Sequence, residues 1–287
     1  MDELTVNAVR EWIRLVPTGQ FHYTKILDGA VHPDSYAKLR EYVARCCKDG
    51  IAEPTGNRDG TYRRVEALPL PVNWEPINPN QDSGLILPFN LRKYVWIDPN
   101  TSVVVAGSKD SGKSGFLMRT VYLNMGHRKV IFLCNMEGGI NQLKRRFEAM
   151  GVDMTCPPFE TYTVTENFHD AMKETGVLYV VDYIDVPDTG EFFMIAPALS
   201  RIQVKLYDNT NAVIGLQKKT NSDLAYGGEQ TLKKTTLYLA MNPGKIKIVS
   251  AKIHANPTID PKNMQWTFLY SEEGTRFDNV VQAVDEI

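Results

Sequence analysis

The chain has little of what marks a secreted or membrane protein. Its four cysteines, Cys46, Cys47, Cys134 and Cys156, have a spacing that fits neither a zinc knuckle nor a disulfide framework. Reduced thiols in a cytoplasmic protein are expected. No apolar run approaches bilayer-spanning length, and the start, Met1-Asp-Glu-Leu-Thr-Val6, is acidic where a secretory leader is basic and then apolar. A soluble protein with no membrane partner is expected. An excess of one charge is missing too, since 32 Lys and Arg face 34 Asp and Glu, for a formal net charge of −2. Without a global basic field, contact with nucleic acid must come from local patches or from a ring of subunits. Internal repeats and low-complexity tracts are also lacking. With 43% hydrophobic and 23% charged residues, wholesale disorder is excluded. At 287 residues the chain has room for one large domain or for one small and one medium domain, and two are expected.

What is present is more specific. Residues 103–107 read Val-Val-Val-Ala-Gly, an apolar strand, and residues 107–114 read G-x-x-x-x-G-K-S before a helix opens. That is the spacing of a phosphate-binding P-loop. Gly107, Ser108, Lys109, Asp110, Ser111, Gly112, Lys113 and Ser114 are the candidate cradle, with loop amides aimed inward as an anion nest and the helix N-terminus adding to them. Lys113 would reach the β- and γ-phosphates, and the Ser114 hydroxyl would ligate Mg²⁺. A nucleoside triphosphate is the expected ligand.

The first 66 residues form a unit of their own. Val6, Val9, Trp12, Ile13 and Val16 carry a helical period, and so do Tyr36, Leu39, Tyr42, Val43 and Cys46. A short apolar segment, residues 21–30, lies between them, and residues 51–65 read as a hairpin with turn chemistry at Asn57 to Gly60. Three short helices and a two-stranded wing resemble the small winged helix-turn-helix domains of bacterial and phage regulators. That resemblance implies a helix over 35–48 in a major groove and Arg58, Arg63 and Arg64 on phosphates. The same domain could instead dock a protein. Residues 67–90, dense in proline, read as a stiff linker or as a loop packed on the second domain.

Residues 91–287 alternate strands and helices. A buried-type strand over 127–136 leads to Glu137, and another, over 177–182, ends in Asp182 in the Walker B pattern, where it would hold the Mg²⁺ shell or else cap the next loop. The strand 212–217 ends in Gln217, as a γ-phosphate sensor would, or by chance. Residues 218–229 look too polar for a core and read as a mobile loop. Two further strands and a terminal hairpin complete the chain.

This order of signals, with Gly215-Leu-Gln217, Ala251-Lys252 and a final G-x-x-T-R-F, resembles the RecA-like ATPase core of DnaB-type replicative helicases over roughly residues 86–281. The implied fold is α/β, a RecA-like P-loop NTPase with a mainly parallel sheet, preceded by the small α+β winged-helix domain. The implied activity is Mg²⁺-dependent ATP hydrolysis in a homo-oligomeric ring, normally of six, that moves along single-stranded DNA. Glu137 would activate water, Gln217 would sense the γ-phosphate, and Lys252 would enter the neighbour's site. Where the helicases carry a Lys-x-Arg pair, this chain has Lys252-Ile-His254. Histidine lacks the permanent bidentate charge of arginine, so hydrolysis is weak or another cation, such as Arg276, substitutes. The helicases' N-terminal helical domain is replaced by the winged helix. An ATPase in phage or mobile-element DNA replication is the leading reading. An ATP-bound regulator or loader with little turnover is the alternative, and a recombinase that coats single strands is a third.

Overall fold

The computed structural model describes residues 4–16, 19–56, 60–66, 71–136, 138–185, 192–271 and 274–283. The chain divides into two compact units, Met1–Ile77 and Asn78–Ile287.

In the first unit, helix α1 (Val6–Leu15) is started by Thr5, whose hydroxyl accepts the Ala8 N–H at 3.2 Å. Strand β1 (Gln20–His22), helix α2 (Tyr36–Lys48) and strands β2 (Ala52–Pro54) and β3 (Thr61–Arg64) come next. The three strands form one antiparallel sheet, ordered β1-β3-β2. Val9 and Ile13 of α1 meet Leu39, Val43 and Cys46 of α2 over Phe21 and Ile26. Residues 21–30, expected as the second of three helices, are instead the end of β1 and a 3-10 stretch. Leu27 and Asp28 are left-handed, at φ 53° and 57°, so no α-helix can run through them. The hairpin forms as expected, but its tip at Asn57, Arg58 and Asp59 lies outside the described residues.

The second unit is built on nine strands. After β4 (Ser102–Gly107) come α3 (Lys113–Asn124), β5 (Val130–Cys134), α4 (Gly139–Ala149), β6 (Glu160–Thr163), α5 (Phe168–Ala171) and β7 (Leu178–Ile184). The remainder is α6 (Ile195–Val204), β8 (Asn211–Gln217), β9 (Leu237–Asn242), β10 (Lys245–Ala251), β11 (Gln265–Ser271) and β12 (Arg276–Ala283). The sheet order is β12-β11-β10-β9-β4-β8-β7-β5-β6. The run from β6 to β9 pairs in parallel, and β10, β11 and β12 extend it antiparallel. The fold class is therefore α/β with a mixed, largely parallel sheet. Every residue of β4 is buried. Its alternation sends Val103 and Val105 to the layer holding α3 and α4, and Val104 and Ala106 to the layer holding α5 and α6. Strand β6 escaped the sequence reading because a short, polar edge strand carries no apolar run. Among the described residues no helix is long and apolar enough to cross a membrane.

The proline-rich segment is not uniform. Residues 71–81 are exposed, and Trp74 is 74% accessible. From Ser83 the chain is packed, with Leu85 and Leu87 in the α3-side core. The linker read to residue 90 thus gives way to core earlier. Asn124, at the end of α3, explains how: fully buried, it accepts the Ile86 N–H at 3.0 Å and donates to the Ile86 and Thr120 carbonyls, each at 2.7 Å. An Asn124→Ala variant leaves both Ile86 groups without these partners. The expected loss is about 2 kcal/mol or more for the second unit, read as a lower midpoint in its urea transition. A midpoint equal to the parent's would show that water replaces the clamp.

Candidate functional site

The parallel strands β4, β7 and β8 end together at their carboxyl edge, and the loop from β4 to α3 closes over that edge. A cavity of about 700 Å³ opens there, within the range of small-molecule and cofactor sites. Seven residues of the predicted cradle, Ser108 to Ser114, line it, together with Asp182 and Gln217. The loop geometry requires its glycines. A Cβ on Gly107 would fall 2.6 Å from Ser111 Oγ and 2.8 Å from Lys113 Cβ, and Gly112 sits at φ +85°. Asp110 is left-handed as well, at φ 58°, and the Ser111 N–H closes the turn on the Ser108 carbonyl at 3.2 Å.

Lys113 is 8% exposed, and its ammonium stands 3.2 Å from the centroid of the Tyr183 ring. A buried ammonium is costly unless something faces it, and the π face partly supplies that. The Ser114 hydroxyl donates to Asp182 Oδ1 at 3.1 Å. A hydroxyl and a carboxylate side by side, below a nest of amides, are hard oxygen donors of the kind Mg²⁺ takes when phosphates complete its shell. Among the described residues the buried Ser111 hydroxyl has no hydrogen-bond partner. The residues present therefore fit a Mg²⁺-bound triphosphate. The Asn135 N–H fixes the Asp182 carbonyl at 3.1 Å, and the Asp182–Tyr183 peptide is cis.

The remaining predicted residues are placed less uniformly. Gln217 ends β8 and is half-buried at the cavity wall. Glu137 lies outside the described residues, while its neighbours Met136 and Gly138 line the cavity. Lys252 is exposed beyond β10 and donates to the Lys233 carbonyl at 3.2 Å, away from this chain's own cavity. His254 bridges Val95 in an isolated strand pair and stands 3.7 Å from Asp260 Oδ1. In the first unit Arg58 is outside the described residues. Arg63 pairs with Glu53 at 2.5 Å across β2 and β3. Arg64 donates to the Arg14 and Val16 carbonyls at 2.7 and 3.2 Å and pairs with Glu66 at 2.8 Å, tying the end of α1 to β3.

The structure adds residues that the sequence reading missed. Arg146 of α4 and Tyr270 of β11 both line the cavity. A Cβ on Gly115 would meet the Tyr270 hydroxyl at 2.0 Å, so the tyrosine lies directly over the first turn of α3. Burial pushes the Tyr270 phenol up, and the Arg146 charge pulls it partly back. The one linear signal was Gly115 itself, a glycine inside a helix with a packing reason. Burial also pushes the Cys134 thiol up to about 11, so at neutral pH it is a wall and not a nucleophile. Residues 218–229, expected as a mobile polar loop, begin with a closed turn. Lys218 pairs with Ala225, and the Tyr226 N–H reaches the Gln217 carbonyl at 2.9 Å.

No family model matches the chain, and comparison with curated proteins finds no match either. Among solved structures, the crystal structure of the RadB recombinase aligns with 64% of this chain and 92% of its own, at 15% identity and a TM-score of 0.46. A likeness at that level says nothing about shared activity.

Proposed function

We propose that the chain is a Mg²⁺-dependent ATPase with a RecA-like core, of the DnaB-like helicase class, acting on DNA in phage or mobile-element replication. The observation that carries the ATPase reading is the Ser114 to Asp182 contact of 3.1 Å, set beside the buried Lys113 under a glycine-bounded loop. Parallel-sheet ligands sit at the carboxyl edge of the strands, where this contact lies. In this reading the loop amides and Lys113 bind the β- and γ-phosphates. Lys113 is held inside the cavity by Tyr183 before the phosphates arrive, so little ordering remains for the ligand to impose. Ser114 and Asp182 would hold Mg²⁺, which when bound offsets charge on the phosphate oxygens. Glu137 takes the proton of the attacking water, and Gln217, at the cavity wall, reads the γ-phosphate. Lys252, which does not line its own chain's cavity, serves a neighbouring subunit in a ring of up to six.

For the first unit our reading is a winged helix with duplex DNA or a protein as its partner. The internal pairing of Arg63 and Arg64 favours the protein. That observation, with histidine at position 254, also supports the second functional reading, an ATP-bound regulator or loader with little turnover. ATP hydrolysis with and without single-stranded DNA, combined with a native mass, separates the two. DNA-stimulated turnover by an oligomer supports the first, and nucleotide-driven assembly without turnover supports the second.

Three outcomes are expected. Lys113→Ala lowers ATP turnover by about 100-fold or more, because the developing phosphate charge loses its nearest cation. Turnover equal to the parent's sinks the P-loop assignment. Glu137→Gln keeps ATP affinity while slowing hydrolysis by about 10²- to 10⁴-fold, since an amide holds shape but accepts no proton. Parallel loss of affinity and rate would give Glu137 a structural role. Finally, an Arg58→Ala, Arg63→Ala double variant, which spares the Arg64 tether, makes the salt dependence of duplex binding shallower by about two counterions. Superimposed anisotropy titrations for variant and parent would leave a protein as the partner.

A further inference from the structure

Behind the phosphate loop, outside the cavity, sits a second buried lysine. Lys218 succeeds Gln217 directly and is 2% exposed. Its ammonium donates to Asn242 Oδ1 at 2.6 Å and to the Lys219 carbonyl at 3.3 Å. Burial pulls it below the usual lysine range, and the Asp223 carboxylate partly restores it. Asp223 itself pairs with Lys247 at 2.9 Å. A methionine of similar volume would fill the same space at lower cost, so packing alone does not account for a lysine.

Its contacts run in two directions. Toward the loop, the Lys218 N–H donates to the Gly107 carbonyl at 3.1 Å, and Asn242 Oδ1 also accepts the Ser108 hydroxyl at 3.4 Å. The Ser108 N–H reaches the Met241 carbonyl at 3.2 Å. Away from the loop, Lys218 pairs with Ala225, and Tyr226 stacks on Phe192 with centroids 4.2 Å apart and planes 9° apart. Phe193, next in the chain, is 68% exposed.

We propose that Lys218 is a positioning residue that transmits the occupancy of the 107–114 loop to the turn at 218–226 and so to the Phe192 and Tyr226 stack. The proposal rests on the reading of that loop as a nucleotide cradle. A triphosphate reorganises the backbone around Ser108, Ser108 shares its acceptor with Lys218, and the charged contact carries the shift because a low-dielectric site makes its loss expensive.

The test is amide hydrogen exchange on the full chain, with and without Mg²⁺ and a non-hydrolysable ATP analogue. In the parent, exchange at 107–114 and at 219–226 both slow by about tenfold or more. In Lys218→Met the response at 107–114 persists while the response at 219–226 is lost. Asn242→Leu behaves the same way, and Asn242→Asp, which keeps the acceptor oxygen, retains both responses. A purely structural lysine would move both segments together or neither. A 219–226 response that survives in Lys218→Met overturns the proposal, and so does a parent that responds at 107–114 alone. No response at 107–114 in the parent removes the nucleotide reading first and the proposal with it. Should Lys218→Met melt early, the Asn242→Asp and Asn242→Leu pair decides by the same comparison.

Discussion

The second unit depends on one constraint, the register in which β4 lies between its parallel neighbours. Gly107 is set opposite Gln217 on β8 and opposite Met241 on β9, while Cys134 on β5 faces Asp182 on β7. This register makes strand ends from distant parts of the chain finish at one edge, where the 107–114 loop turns over them. Because side chains alternate with period two, a slip of one residue would exchange the two faces of β4. Val103 and Val105 would leave the α3 layer, and the loop would start one residue out of step with Asp182. The shape of the 107–114 loop is thus a consequence of β4's two-sided burial as much as of its own glycines.

Charge works locally in a chain with almost no net charge. Two buried lysines and the half-buried Arg128 are each met by neutral groups. Lys113 faces a ring, a weak partner that an arriving polyanion outcompetes. Lys218 faces an amide oxygen and a carbonyl, neutral dipoles that hold it in place without cancelling its charge. Arg128 donates to the Ser83 and Asn209 carbonyls, and burial lowers its affinity for a proton without a carboxylate to offset it. In the proposed reading the first binds a ligand and the second connects segments, while the third ties the edge of the fold.

What was legible in the sequence was local. Residues 107–114 encode their own conformation, because two glycines and a succeeding helix suffice to build an anion nest. The strands β5, β7 and β8 announced themselves as apolar runs; Gln217 was found at the end of β8, and Asp182 at the end of an apolar run that β7 carries two residues further, to Ile184. What the sequence hid depends on contacts between distant residues. Tyr270 reaches the first turn of α3 only because β11 is threaded beside β10, and no pattern near residue 270 points to residue 115. Asn124 looks like an ordinary polar residue closing a helix until the Ile86 backbone lies beside it. Lys218 read as loop because lysines are seldom fully buried, and the compensation lies on β9. In the first unit, residues 21–30 were apolar enough for a helix, and it is the pairing of Phe21 and His22 in β1 and the backbone of Ile26, Leu27 and Asp28 that rule one out.

The placement of positive charge also bears on how the site would complete itself. In phosphoryl transfer a cation at the γ-phosphate beyond the one on the loop raises the rate. Lys252 bonds to a carbonyl of its own chain, His254 lies in a strand pair with Val95, and Arg276 pairs with Asp278 at 2.8 Å. None of the three lines the cavity, whereas Arg146 does, beside Tyr270. A chain acting alone therefore has Lys113, Lys109 and Arg146 to offer, all in cis. In the proposed reading Lys252 and Arg276 contribute across an interface between copies. In the proposed reading, histidine at position 254 leaves that place without a planar, permanently charged group, and Arg146, whose helix begins two residues after Glu137, is the cation at hand in the same chain.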